Sequence, residues 1–93
     1  HATVSPHNAW GPILTAIHVQ LAASIPNFLV LEYRYDGRDE IVSNPLQINN
    51  GYIKLPDSPG LGIDFDNLTA KRYSYEPRKI GTALRSDQSV GFR

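Results

Sequence analysis

The sequence predicts an α/β chain organised around one strand–helix–strand unit in its first third. Three observations predict it. A short β-compatible run, Ala2-Thr3-Val4, is stopped by Pro6, which cannot donate to a ladder. From Ile13 onward the apolar residues recur with a helical period. Residues 28–31, Phe-Leu-Val-Leu, then run without alternation and close on Glu32, as in a parallel strand covered on both faces. Strand, helix and strand with short joins form a βαβ unit, which is right-handed in nearly all known cases.

The helix is bounded by local chemistry. Asn8 is a candidate cap and Pro12 suits the first helical turn. At about 100° per residue, Ile13, Leu14, Ile17, Leu21 and Ile25 share one third of the circumference and are expected to face a core. Ala16, Ala22 and Ala23, with Val19, form a small-residue face for close neighbours. His18 sits at the edge of the bulky stripe, where a boundary residue with a polar tip is the plain reading. Pro26-Asn27 ends the helix.

Residues 33–50 read as a loop, with Leu46-Gln47-Ile48 as a short extended piece and Asn49-Asn50-Gly51 as a turn. Strands are predicted at Tyr52-Ile53-Lys54-Leu55 and at residues 61–65, where Leu61, Ile63 and Phe65 alternate with Gly62 and Asp64. Asp66 can cap a short helix over residues 67–73. After Pro77 the chain is polar with isolated Ile80, Leu84, Val90 and Phe92, which predicts an irregular tail ordered by another surface. Two regions result: residues 1–48, holding the βαβ unit and its loop, and residues 49–93, holding a hairpin, a short helix and the tail.

Composition bounds the function. The chain has 93 residues, enough for one small domain at most. It starts with His and contains no Met, which raises the expectation of a fragment or processed product. No cysteine is present, so disulfides and thiolate metal sites are excluded. No basic stretch leads into an apolar core at the N-terminus, and the apolar runs fall short of a membrane span. The expected location is cytoplasmic, with no membrane partner. Net charge is zero, yet residues 1–66 hold three basic and seven acidic side chains and residues 67–93 hold six basic and two acidic. The basic tail could fold back on the acidic front. It matches no recognition motif for nucleic acid, and none is expected as a partner.

His7 and Glu32 are the foremost candidates for chemistry. In a βαβ unit both stand just past the carboxyl ends of neighbouring parallel strands, which lie about 4.8 Å apart. Such ends are where α/β barrels build active sites. A glutamate directly after four apolar residues is costly to ionise unless something polar meets it. The plain alternative is a turn histidine and a solvated strand-end glutamate. Other constellations are weaker. No Gly-x-Ser-x-Gly elbow occurs. Pro59-Gly60-Leu61-Gly62 precedes a strand pattern and reads as a turn, not a phosphate cradle. Asp36, Asp39 and Glu40 read as a solvated acidic loop, not a metal site.

Three stretches together resemble the carboxyl-terminal part of the enolase superfamily, in its mandelate racemase branch, and within it acid-sugar dehydratases of the galactonate dehydratase type. They are Pro6-His7-Asn8-Ala9-Trp10-Gly11-Pro12, then residues 25–32, then Asn50-Gly51-Tyr52 through Pro56-Asp57-Ser58-Pro59-Gly60-Leu61-Gly62. The tail residues 84–90 resemble that group's ending. The likeness implies the last part of a (β/α)7β TIM-like barrel, with His7 ending the seventh strand and Glu32 the eighth, and with residues 49–93 packing toward a cap domain. It implies that His7 abstracts a proton α to a carboxylate. It implies that Glu32 hydrogen-bonds the enolate as a neutral acid, with Asn8 and Trp10 as substrate contacts. It implies a sugar-acid carboxylate as substrate and a homo-oligomeric parent. It also implies Mg²⁺, whose ligands are not in this chain, so the isolated chain is expected to be inactive. Leu31, Ala9 and a tail without its usual Trp residues depart from the dehydratase pattern. The alternatives are a racemase or epimerase of the same superfamily, and a non-catalytic α+β remnant or binding module.

Overall fold

The computed structural model describes residues 2–35, 37–77 and 84–91. Helix α1 spans Pro12–Ser24. Proline sits in its first turn, where its missing N–H is no loss. The cap position is Gly11, without a side-chain cap bond. The expectation that Asn8 caps the helix is therefore corrected. Asn8 lies one turn upstream, and its amide is engaged elsewhere.

Two segments flank α1 in the parallel sense, bridged at Val4 and Phe28. Val4 N–H donates to Asn27 C=O at 2.9 Å and Leu29 N–H donates to Val4 C=O at 2.9 Å. These are the slanted bonds of a parallel pair. The pairing is one bridge wide, so the strand expected over residues 28–31 is not formed. Leu29 and Val30 are exposed, and no second strand pairs with them among the described residues. A strand of this composition forms only where a sheet accepts both its edges.

The buried face of α1 also differs from expectation. Thr15, Ala16 and Val19 are buried, whereas Ile13, Ile17 and Leu21 are 37–44% exposed. The small-residue face is the one that packs, because small side chains let the flanking segments approach closely. Ile13, Ile17 and Leu21 of the bulky stripe stay exposed because nothing among the described residues encloses them. The buried apolar core is Ala16, Val19 and Val42.

Beyond α1, a 3₁₀ turn at Asp39–Ile41 leads into strand β1, Val42–Ser43. Strand β2 is Ile48–Asn49, β3 is Tyr52–Ile53 and β4 is Asp64–Phe65. β2 and β3 form an antiparallel hairpin, Ile48 opposite Ile53. Asn50 and Gly51 turn it with φ of 50° and 81°, the paired left-handed residues of a type I′ turn. The hairpin thus begins at Ile48, within the extended piece read at residues 46–48. The strand at residues 61–65 shrinks to β4 and pairs with β1, Val42 opposite Phe65. Its alternation fails at its end, since Phe65 is exposed.

Helix α2, Asn67–Ala70, is capped as expected by Asp66, whose carboxylate accepts from Leu68 N–H and Thr69 N–H. It ends sooner than expected, passing into turns at Arg72 and Tyr73. In the tail, Leu84 and Val90 form an antiparallel bridge around a turn closed by Asp87 and Ser89. That part is more regular than expected. Ile80 and Phe92 lie outside the described residues. The radius of gyration is 16.8 Å, against about 12 Å for a compact domain of this size. The chain is open, with broad apolar surface uncovered.

Candidate active site

The Val4–Phe28 bridge sets the site. It brings the ends of both flanking segments to the same edge of α1, so His7 and Glu32 emerge together. His7 Nδ1 lies 2.6 Å from Glu32 Oε2. The same carboxylate oxygen accepts the backbone N–H of Asn8 at 2.8 Å. His7 is largely exposed and Glu32 is half exposed.

The electrostatics follow from these contacts. The Asn8 N–H holds the Glu32 carboxyl below its ordinary value of 4.5, helped by the charge and the hydrogen bond of His7, against the opposing effect of desolvation. These contacts favour the carboxylate form of Glu32. The neutral acid implied by the resemblance is opposed by these local contacts, because an N–H aimed at a carboxylate favours its charged form. When Nδ1–H of His7 donates to Glu32, Nε2 carries the free lone pair and can take a proton.

The structure places the other two expected site residues differently from each other. Trp10 is 63% exposed and open to a ligand. Asn8 is 0% exposed, and its side-chain amide donates to Thr15 Oγ1 at 3.0 Å. The amide nitrogen of Asn8 is thus engaged within the chain, while its Oδ1 has no hydrogen-bond partner. Thr15 was not singled out by the sequence reading. On a helical wheel it lies off the bulky stripe, seven residues after Asn8, and no local pattern marks it.

Among the described residues, no group of three or more His, Cys, Asp or Glu side chains could hold a metal ion. The residues present do not fit the Mg²⁺ that the resemblance implies. Asp36 of the acidic loop lies outside the described residues. Asp39 and Glu40 sit in the 3₁₀ turn, where Glu40 accepts the Tyr73 hydroxyl. The hydrogen bond to Glu40 raises the Tyr73 pKa above its ordinary value. Arg72 and Tyr73 of the basic tail are placed near this turn by α2, while Arg78 and Lys79 lie outside the described residues. No helix among the described residues is long and apolar enough to cross a membrane.

A helix flanked by two parallel-bridged segments, with a histidine and a glutamate at one edge, defines an α/β unit. Residues 1–69 match the model of the family described as Enolase C-terminal domain-like, and the chain belongs to that family. It is similar to a D-gluconate dehydratase of Thermoproteus tenax, with 32% identity over 83% of this chain and 16% of the relative. It is also similar to a D-galactonate dehydratase family member of Oceanicola granulosus, with 38% identity over 71% of this chain and 17% of that protein. In three dimensions it resembles a mandelate racemase/muconate lactonizing enzyme of Jannaschia sp. CCS1. That match has a TM-score of 0.72 and 32% identity, covering 84% of this chain and 20% of the neighbour. The chain thus spans about a sixth of the length of the curated relatives named here.

Proposed function

We propose that this chain is the C-terminal portion of an acid-sugar dehydratase, and that His7 and Glu32 belong to its catalytic site. The observation that carries the proposal is the His7–Glu32 pair, set by a parallel bridge at one edge of α1. Its support is the kinship to sugar-acid dehydratases together with the chemistry of that pair.

The chemistry assigned to the site begins with a substrate carboxylate that acidifies the neighbouring C–H bond. His7 Nε2 takes that proton, the C–H electron pair moves into the carboxylate as an enolate, and the β-hydroxyl then departs as water. Glu32, ionised, holds the imidazole through Nδ1–H and stabilises the positive charge that His7 acquires. Trp10, three residues after His7 in the sequence, offers an exposed aromatic face for the sugar chain. The Mg²⁺ of the resemblance, and the acid that assists the departing hydroxyl, belong in this proposal to residues outside the chain. The exposed Ile13, Ile17 and Leu21 of α1 and the exposed apolar residues Leu29 and Val30 suit a place at the end of a barrel, where neighbouring strands and helices would cover them.

The test is a panel of five- and six-carbon sugar acids offered to the whole protein that carries this sequence, with Mg²⁺ supplied. Formation of the 2-oxo-3-deoxy product supports the proposal. Incorporation of solvent deuterium at the α-carbon without loss of water would point instead to a racemase or epimerase. No exchange and no product across the panel would remove the proposal.

A further inference from the structure

We propose that Thr15 is a positioning residue for the His7–Glu32 pair, acting through Asn8; its catalytic consequence rests on the dehydratase reading above. Asn8 is tied at both ends. Its backbone N–H donates to Glu32 Oε2 at 2.8 Å, and its side-chain Nδ2 donates to Thr15 Oγ1 at 3.0 Å. Thr15 is itself tied down, because its hydroxyl donates to Gly11 C=O at 3.3 Å. The same carbonyl accepts Thr15 N–H at 3.2 Å, the first bond of α1.

The hydrogen-bond inventory makes the arrangement specific. A threonine hydroxyl has one proton, and here it is spent on Gly11. Its oxygen can then only accept, and the group that reaches it is the amide of Asn8. Thr15 is 3% exposed and Asn8 is 0% exposed, so water does not substitute for either partner. Asn8 Oδ1 has no hydrogen-bond partner. The bond to Thr15 is therefore the side chain's one polar anchor, and removing it would leave a wholly buried amide unsatisfied at both atoms.

The consequence falls on the site. His7 and Asn8 share a peptide bond, whose N–H is the strongest influence on the Glu32 carboxylate. An Asn8 side chain released from Thr15 is left wholly buried without a partner, and its re-packing shifts the backbone that aims this N–H. Glu32 then loses its fixed partner, and the His7 imidazole loses the carboxylate that orients it. The chain of contacts runs from the first turn of α1 to the base.

The experiment compares Thr15→Val and Thr15→Ser in the whole protein. Valine keeps the shape and removes the hydroxyl; serine keeps the hydroxyl. With selective ¹⁵N-Asn labelling, the Asn8 amide of Thr15→Val is expected to exchange with solvent about fivefold to tenfold faster than in the parent. Its kcat is expected to fall about 10- to 100-fold, with KM within about twofold, since ground-state binding is untouched. Thr15→Ser should match the parent in both. Parent-like Asn8 exchange in Thr15→Val overturns the inference, and so does a Thr15→Ser variant as impaired as Thr15→Val. If the valine variant does not fold, Thr15→Ala against Thr15→Ser makes the same comparison. A parent that turns over no sugar acid overturns the dehydratase reading alone, and Asn8 exchange still decides the role of Thr15.

Discussion

His7 Nδ1 and Glu32 Oε2 stand 2.6 Å apart although a whole helix separates the two residues in sequence. One backbone bridge, Val4 to Phe28, is what closes that separation. The pair is also asymmetric. One nitrogen of His7 and one oxygen of Glu32 are committed to each other, which leaves Nε2 and the second carboxylate oxygen for a ligand.

Loss of the base should be a loss of rate. His7→Asn in the whole protein is expected to lower kcat by about 10²–10⁴-fold, the usual value of a general base. Substrate binding should change little, because the asparagine still fills the turn. The check is solvent deuterium at the substrate α-carbon. Exchange at the parent rate in His7→Asn would take His7 out of the mechanism.

Glu32 can be dissected by two substitutions. Glu32→Gln keeps an oxygen for the His7 and Asn8 N–H groups but removes the charge, and should retain part of the activity. Glu32→Leu keeps the bulk and removes both acceptors. Loss of one preorganised charge-stabilising group costs about 10²–10³ in kcat, and the leucine variant should show it in full. Steady-state kinetics with equal kcat in the parent and both variants would return Glu32 to the status of a solvated strand-end residue.

Acid should dissolve the site in a defined direction. The Glu32 carboxyl lies below its ordinary value of 4.5, first through Asn8 N–H and then through His7. A carboxyl with a depressed folded value contributes stability that is present above its unfolded value. That contribution is lost as pH falls through the lowered value. The site contacts are therefore expected to persist through mildly acidic pH and to fail below the usual carboxylate range. The Asn8 amide resonance, followed down the pH scale, should move with Glu32 protonation, and the step should vanish in Glu32→Gln.

Two glycines of one turn region should respond unequally. Gly60 and Gly62 have φ of 69° and 75°, so an L side chain is strained at either, by about 1–2 kcal/mol. A Cβ at Gly60 meets open space, whereas one at Gly62 runs into Pro56 Cβ and Cγ. Gly62→Ala should therefore lower the melting temperature of the whole protein more than Gly60→Ala does. Equal shifts would mean that the Pro56 contact carries no stability.

The sequence alone determined the elements whose causes are local. Pro12 and Pro26 bracket α1, Asp66 caps α2, and Asn50-Gly51 turns a hairpin, because each depends on dihedral preferences and hydrogen bonds within a few residues. The nearness of His7 and Glu32 was also legible, since a strand–helix–strand order sends both to one edge. Tertiary structure decided what depends on neighbours. The run at residues 28–31 has the composition of a buried strand, but β-structure exists only in pairing, and here it meets a single bridge. β4 pairs with β1, a choice between distant partners that no local pattern expresses. The wheel of α1 shows two apolar faces without saying which is covered; close approach by the flanking segments selects the small one. Asn8 reads as a cap for α1, and its burial against Thr15, with Gly11 at the cap position, takes it from that role. That outcome rests on two side chains meeting across the entry to a helix, a contact whose geometry exists only once the chain has folded.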